Sequence, residues 1–300
     1  MQKLYPIVEN HKWGFMDFGG RVIIEPNFDE VREFSEGYAA IEINRRWGYI
    51  NDVGNVVIDP QFEAAGTFLN GLANVKFIGK WGYINKFNDF IIQSEFDSAA
   101  PFKENVGVVS KNGKFGYIDR NGKYLIPMQY DDHGEFYNGM AAIEYSNKYG
   151  FINIEGEVCI EPDFDDVRDF SDNHAAVMKD DLWGYINQDG EWVIEPRFDY
   201  AGDFHDGFAS VGKGYRYGYI NVDGSYQLSP QYEYTWQFSE GLAMASLSSQ
   251  CGYIDKDGEV IIPFQYSAAF DFNGGLARVV QDGRHGYINK DGEYIWLPTK

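Results

Sequence analysis

The chain has 300 residues, of which 44% are hydrophobic and 17% aromatic, ample material for a buried core. Its net charge of −21 disfavours nucleic acid and anionic membrane as partners, because an acidic surface repels phosphate. No run approaches the ~18 apolar residues of a membrane span, and the opening MQKLYPIVENHKWGF has neither a basic n-region nor an apolar h-region, so a cytoplasmic protein is expected.

Taken in order, Tyr5-Pro6-Ile7-Val8-Glu9 reads as a strand closing a module that is already under way. Trp13-Gly14 then starts a pattern that recurs at Trp47-Gly48, Trp81-Gly82, Phe115-Gly116, Tyr149-Gly150, Trp183-Gly184, Tyr217-Gly218, Cys251-Gly252 and His285-Gly286. Each pair stands 34 residues after the last, which divides one array over 1–300 into a partial repeat 1–12, eight complete repeats over 13–284 and a partial repeat 285–300. Every unit opens with a short strand such as Trp183-Gly184-Tyr185-Ile186, which runs into Asn187-Gln188-Asp189-Gly190. Those four residues fit a type I turn followed by a left-handed glycine, the three-residue hairpin loop with a bulge, and Asn88 takes the glycine position in the third unit.

A second strand follows, for example Glu191 to Pro196, and a proline is expected to end it at Pro26, Pro60, Pro162, Pro196, Pro230 and Pro298. Next stands an aromatic with an acid, as in Phe28-Asp29, Phe96-Asp97, Tyr130-Asp131, Phe164-Asp165 and Phe198-Asp199. The acids suit capping of turn amides, or otherwise an acidic ladder facing a basic partner. Six residues after that aromatic comes phenylalanine in every complete unit: Phe34, Phe68, Phe102, Phe136, Phe170, Phe204, Phe238 and Phe272. So constant a position marks the deepest part of the core. A turn glycine and an alternating Ala/Val strand such as Ala175–Val177 complete the unit.

No segment has helical periodicity of useful length, and a three-stranded module cannot bury its own sheet, so modules must stack. The expected fold is all-β, with tandem 34-residue three-stranded repeats in an open, solenoid-like superhelix. A closed toroid or propeller-like ring is the alternative, because the leading 12 and trailing 16 residues could pair. Three strands are lean for a propeller blade, and nine blades exceed the usual 4–8 or so.

At Lys80–Asn85 (KWGYIN), Asp257–Pro263 (DGEVIIP) and Phe238–Ala243 (FSEGLA) the sequence resembles the bacterial WG-repeat family, and the resemblance runs the length of the chain. Phe115, Tyr149, Tyr217, Cys251 and His285 depart from its tryptophan. The resemblance implies a β-repeat binding or interaction module and brings no catalytic residues.

The residues themselves point the same way. His11, His133, His174, His205 and His285 occupy five different phases without metal-ligand spacing, and no nucleophile elbow or phosphate loop occurs. The N-x-D-G turns lack the further carboxylates of a calcium loop. No catalytic residue, metal or cofactor is expected, and Cys159 and Cys251 read as buried free thiols in a reducing compartment. The segment before the anchoring phenylalanine is small or polar early in the chain but carries Tyr200, Tyr234, Trp236 and Phe270 late in it. Stacked modules would gather these four as a ridge for a protein or peptide partner, unless they fill a wider gap in the core. The expected function is a non-enzymatic scaffold; the alternative is a carbohydrate- or cell-wall-binding module that uses exposed aromatics.

Overall fold

A computed structural model describes residues 3–299, so Met1, Gln2 and Lys300, the outermost residues of the expected array, lie outside the described residues. Among the described residues the chain folds into nine antiparallel sheets, each built from consecutive strands. It falls into two compact units, one reaching His133 and including Thr299, the other Gly134–Pro298.

In the first unit, strands Tyr5–Glu9, Lys12–Met16 and Val22–Phe28 form a three-stranded sheet. Glu30–Val31, Tyr38–Ile43, Arg46–Asn51 and Val56–Phe62 form a four-stranded one, and the arrangement repeats from Ala64 and again from Ser98. The Thr299 hydroxyl donates to the Val8 carbonyl within this unit. The second unit opens with Met140–Tyr145, Lys148–Asn153 and Val158–Phe164, and continues with four-stranded sheets that start at Asp166, Tyr200, Tyr234 and Ala268. Each sheet is a blade, and the fold is a β-propeller with nine blades among the described residues, eight of four strands and the first of three. This overturns the open solenoid of three-stranded repeats in favour of the propeller alternative.

The uncounted strand is the segment read from sequence as a connection. Ala64 and Ala65 pair with Lys76 and Val75, and Ser98 and Ala99 pair with Ser110 and Val109. In the early blades this first strand is only two residues long, followed by isolated bridges such as Leu69↔Leu72 and Lys103↔Val106. In the last three blades it runs unbroken over Tyr200–His205, Tyr234–Ser239 and Ala268–Asn273. Tyr200, Tyr234, Thr235, Trp236 and Phe270 there favour the pleated conformation and Pro101 opposes it in one earlier blade, although Ala and Gly occur in long and short first strands alike.

Proline does not end the outer strand. Pro60 and Pro196 lie inside Val56–Phe62 and Trp192–Phe198, which run two residues further. These are the last strands of their sheets, so an edge proline costs no ladder bond and leaves one donor fewer for edge-to-edge pairing. The turns follow expectation: the Gly190 amide donates to the Asn187 carbonyl at 3.0 Å, and the Asn187 carboxamide accepts from the amides of Asp189 and Glu191. Asn88 takes the left-handed conformation in its blade, at φ 67°.

The repeated glycine sits where the register between second-last and last strands shifts. Trp81 faces Phe96 but Tyr83 faces Ile92, and a Cβ on Gly82 would lie 2.6 Å from the Ile92 carbonyl oxygen. The aromatic after the glycine is as deep as the anchoring phenylalanine: Phe15, Tyr49, Tyr83, Tyr117, Phe151, Tyr185 and Tyr253 are fully buried. Its partner is the phenylalanine of the following blade, with ring centroids 4.8 Å apart for Tyr49–Phe68 and for Tyr185–Phe204. The anchors from Phe68 to Phe272 are buried as expected, while Phe34 is only half-buried. Cys159 is exposed and Cys251 half-buried, correcting the expected pair of buried thiols. Cys159 lies on the outer edge strand Val158–Phe164, whose side chains alternate towards solvent.

The acidic row caps turns. Asp29, Asp97, Asp165 and Asp199 accept from the amides of Asn44, Asn112, Asp180 and Gly214 at 2.6–2.9 Å. Lys12, Lys80, Lys114 and Lys148 add ion pairs to Asp29, Asp97, Asp131 and Asp165. The lysine hydrogen bond and the capped amide hold Asp97 and Asp165 below the usual carboxylate range. Glu240 makes a different clamp, across blades. It accepts from the amides of Gly274 and Gly275 and pairs with Lys290. Burial would raise its carboxyl, but these three donors outweigh burial and leave it depressed. A depressed folded pKa gives stability that is present above the unfolded value of 4.5 and is lost as pH falls through the folded one. Urea midpoints of wild type should therefore drop below about pH 4, and Glu240→Gln should flatten part of that drop while lowering the midpoint at neutral pH. Parallel acid profiles for the two proteins would show that the clamp contributes nothing.

Candidate binding site on the first strands of the last blades

Within the second unit, the first strands of successive blades lie side by side and are stitched by side chains reaching one repeat ahead. The Arg168 Nε donates to the Ala201 carbonyl at 2.7 Å, Ser171 Oγ to Phe204 and Ser239 Oγ to Phe272, both at 2.7 Å. Buried tyrosines fix the same strands from beneath. Tyr185, Tyr219 and Tyr253 donate their hydroxyls to the carbonyls of Gly202, Trp236 and Phe270. Burial pushes all three phenols above their ordinary range, so they stay protonated donors. The backbone that carries the aromatic ridge is therefore held by neutral, desolvated hydrogen bonds.

On that backbone the aromatics project outward rather than filling a gap in the core. Tyr234, Trp236 and Phe270 are 36%, 43% and 41% exposed, and Tyr200 is half-buried. The rings make a chain: Tyr200 to Tyr217 at 5.3 Å, Tyr217 to Tyr234 at 5.5 Å, and Tyr234 to Trp236 at 5.9 Å with planes 33° apart. Phe270 stands one blade on, its face covered by the Arg278 guanidinium at 4.1 Å. Trp236 is oriented by Asp271, whose Oδ2 accepts from the indole Nε1 at 3.1 Å and from Gln237 Nε2 at 3.4 Å.

Beside the ring chain lies a cavity of about 160 Å³. Tyr200 and Trp236 are its aromatic lining residues, with Gly202; Arg168, Asp203 and Gln237 supply polar groups. Ser210 and Thr235 also line it, their buried hydroxyls bonded at 2.6 Å. Arg168 is stacked over Trp183 at 5.7 Å and Tyr200 at 5.2 Å. Two of the W-G tryptophans are not part of such a surface: Trp47 and Trp183 are 8% exposed and lie under Arg32 and Arg168, while Trp13 and Trp81 are half-buried.

The structure thus joins Tyr200, Tyr234 and Trp236 through Tyr217 and sets Phe270 beside them by way of Asp271. Sequence reasoning missed Tyr217, Arg168, Asp203 and Asp271. A signal for three of them existed: Arg168 shares its repeat phase with Trp236 and Phe270, and Asp203 shares one with Asp271. Reading whole columns, not aromatics alone, would have found them. Among the described residues no group of three or more His, Cys, Asp or Glu is placed to hold a metal ion. No helix among them is long and apolar enough to cross a membrane.

Fold and site together define a β-propeller with an aromatic, partly polar surface pocket on adjoining blades. The WG containing repeat matches at residues 13–46, 47–81, 81–115, 115–149, 149–183, 183–217, 217–248 and 252–284, and the chain belongs to that family. No curated protein matches it. Among solved structures, a eukaryotic initiation factor superposes with a TM-score of 0.69 over 100% of this chain and 98% of its own, at 9% identity. A dihydro-heme d1 dehydrogenase in complex with DHE gives 0.51 over 99% and 73%, at 12% identity. At such identities the likeness is one of fold alone.

Proposed function

We propose that the protein is a non-enzymatic scaffold that binds a protein or peptide partner through Tyr200, Tyr234, Trp236 and Phe270. The observation that carries this reading is the contiguous ring chain on stitched strands, half-buried at Tyr200 and exposed at Tyr234 and Trp236. Large rings with few rotatable bonds, set on a fixed backbone, lose little entropy on binding and dominate interface energetics. A propeller of WG repeats is consistent with an interaction scaffold, and the two unpaired cysteines suit a reducing, cytoplasmic setting. A glycan reading has less support. The cavity is far below the ~300–1,000 Å³ that encloses a whole small ligand, and two of the W-G tryptophans, Trp47 and Trp183, are buried under arginines.

Capture from cell lysate with immobilised wild type and with Trp236→Ala/Phe270→Ala tests the reading. The double variant should keep its unfolding free energy within about 1 kcal/mol, since both rings are substantially exposed, and should lose the captured protein. Equal capture by two equally stable proteins would remove the ridge from the interface.

A further inference from the structure

The cavity beside Trp236 is the size of one side chain. Its volume of about 160 Å³ is several times the ~30 Å³ share of a water and falls short of a site for a whole ligand. Tyr200 and Trp236 line it, and so does Asp203. A second carboxylate binds two of the lining residues: Asp271 holds the indole of Trp236 and the carboxamide of Gln237 with one oxygen, while its buried Oδ1 has no hydrogen-bond partner. Burial pushes the Asp271 carboxyl up, as befits an acid with little cationic compensation. The one cation in the wall, Arg168, is engaged, with its Nε on the Ala201 carbonyl and its plane against Trp183 and Tyr200.

Three features therefore converge on a positively charged occupant. An indole face attracts a cation through its quadrupole, a carboxylate lines the same space, and the chain carries a net charge of −21 that steers basic partners towards it. Resting on the scaffold reading above, we propose that the cavity receives the side-chain cation of a lysine or arginine from a basic peptide segment. The alkyl stem lies against Tyr200 and Trp236, and the charge is met by Asp203 and the Asp271 side of the indole. A protein segment fits better than a free polyamine, because the rings of Tyr234 and Phe270 extend the surface beyond what one cation covers.

The test uses fluorescein-labelled oligolysine and oligoglutamate of equal length, with the full chain, followed by anisotropy at physiological salt. Oligolysine should bind and oligoglutamate should not. Asp203→Asn and Trp236→Ala should each weaken oligolysine binding about tenfold or more, the equivalent of one desolvated cation–π or ionic contact. Asp189→Asn and Asp257→Asn, which remove the same charge from distant exposed turns, should leave it unchanged. Equal losses at Asp189 and Asp203 would reduce the effect to general attraction by an acidic surface and overturn the proposal. Binding of oligoglutamate would overturn it directly. If Trp236→Ala/Phe270→Ala still abolishes capture of a protein while Asp203→Asn leaves oligolysine binding intact, the cation site falls and the scaffold reading stands.

Discussion

Phe204→Ala is expected to lower the free energy of unfolding by about 3–5 kcal/mol, the cost of emptying a buried aromatic site. Phe204 is wholly inaccessible to solvent. Its ring packs on Tyr185 at 4.8 Å and His174 at 5.0 Å, inside a cluster with Ile194, Phe198, Ala201, Ala209 and Val211. That cluster draws on two blades, so it cannot collapse around the void without separating the strands that Tyr185 ties to Gly202. Urea unfolding should show the loss as a lower midpoint with an unchanged slope, and Phe204→Leu should recover more than half of it by filling most of the volume. A cost below about 1 kcal/mol would mean that the blades are held by backbone pairing rather than by their repeated aromatics.

That anchor was legible from sequence because it is local chemistry copied many times. The 34-residue period, the hairpin turn at Asn187–Gly190 and the phenylalanine column each need only a few neighbouring residues to be understood. The fourth strand was not legible, because nothing in Ala64-Ala65-Gly66 or Ser98-Ala99-Ala100 favours a strand. Those residues are extended because the next strand offers an unpaired edge, which is a tertiary cause. Missing that strand also decided the global error, since three strands fit a propeller blade poorly and four fit it well. Pro60 and Pro196 misled for a related reason: proline stops an inner strand but is tolerated on an outer one, and position within the sheet is invisible in one repeat.

The site divides in the same way. Tyr200, Tyr234, Trp236 and Phe270 stood out because they break the pattern of their columns. Arg168, Asp203 and Asp271 stood out less, being charged residues in an acidic chain whose bland explanation is solvation. Their meaning comes from neighbours one repeat away: Arg168 from the carbonyl of Ala201, Asp271 from the indole of Trp236. A repeat protein places residues 34 apart side by side, so its columns, more than its rows, describe its surface.

Gly184→Ala should be nearly as damaging as the loss of an anchor, by an opposite route. An added Cβ would sit 2.5 Å from the Ile194 carbonyl oxygen, 2.8 Å from the Pro196 nitrogen and 2.9 Å from the Trp192 ring. Two of these are backbone atoms of the paired outer strand, which can retreat only by breaking the ladder on either side of the register shift between Trp183 and Tyr185. Overpacking of this kind costs about 1–3 kcal/mol, and more where no side chain can turn aside. Gly241→Ala is the informative comparison. Its Cβ would meet nothing within 4 Å, but φ is +88°, so its cost is conformational alone, about 1–2 kcal/mol. The two variants should differ in more than stability. Gly184→Ala displaces Tyr185, which tethers the strand carrying Tyr200, so it should also weaken partner binding, whereas Gly241→Ala should not. Thermal unfolding and capture measured on both would separate the effects. If Gly184→Ala were tolerated, the close approach of the two strands could not be the reason for a glycine at that position of every blade.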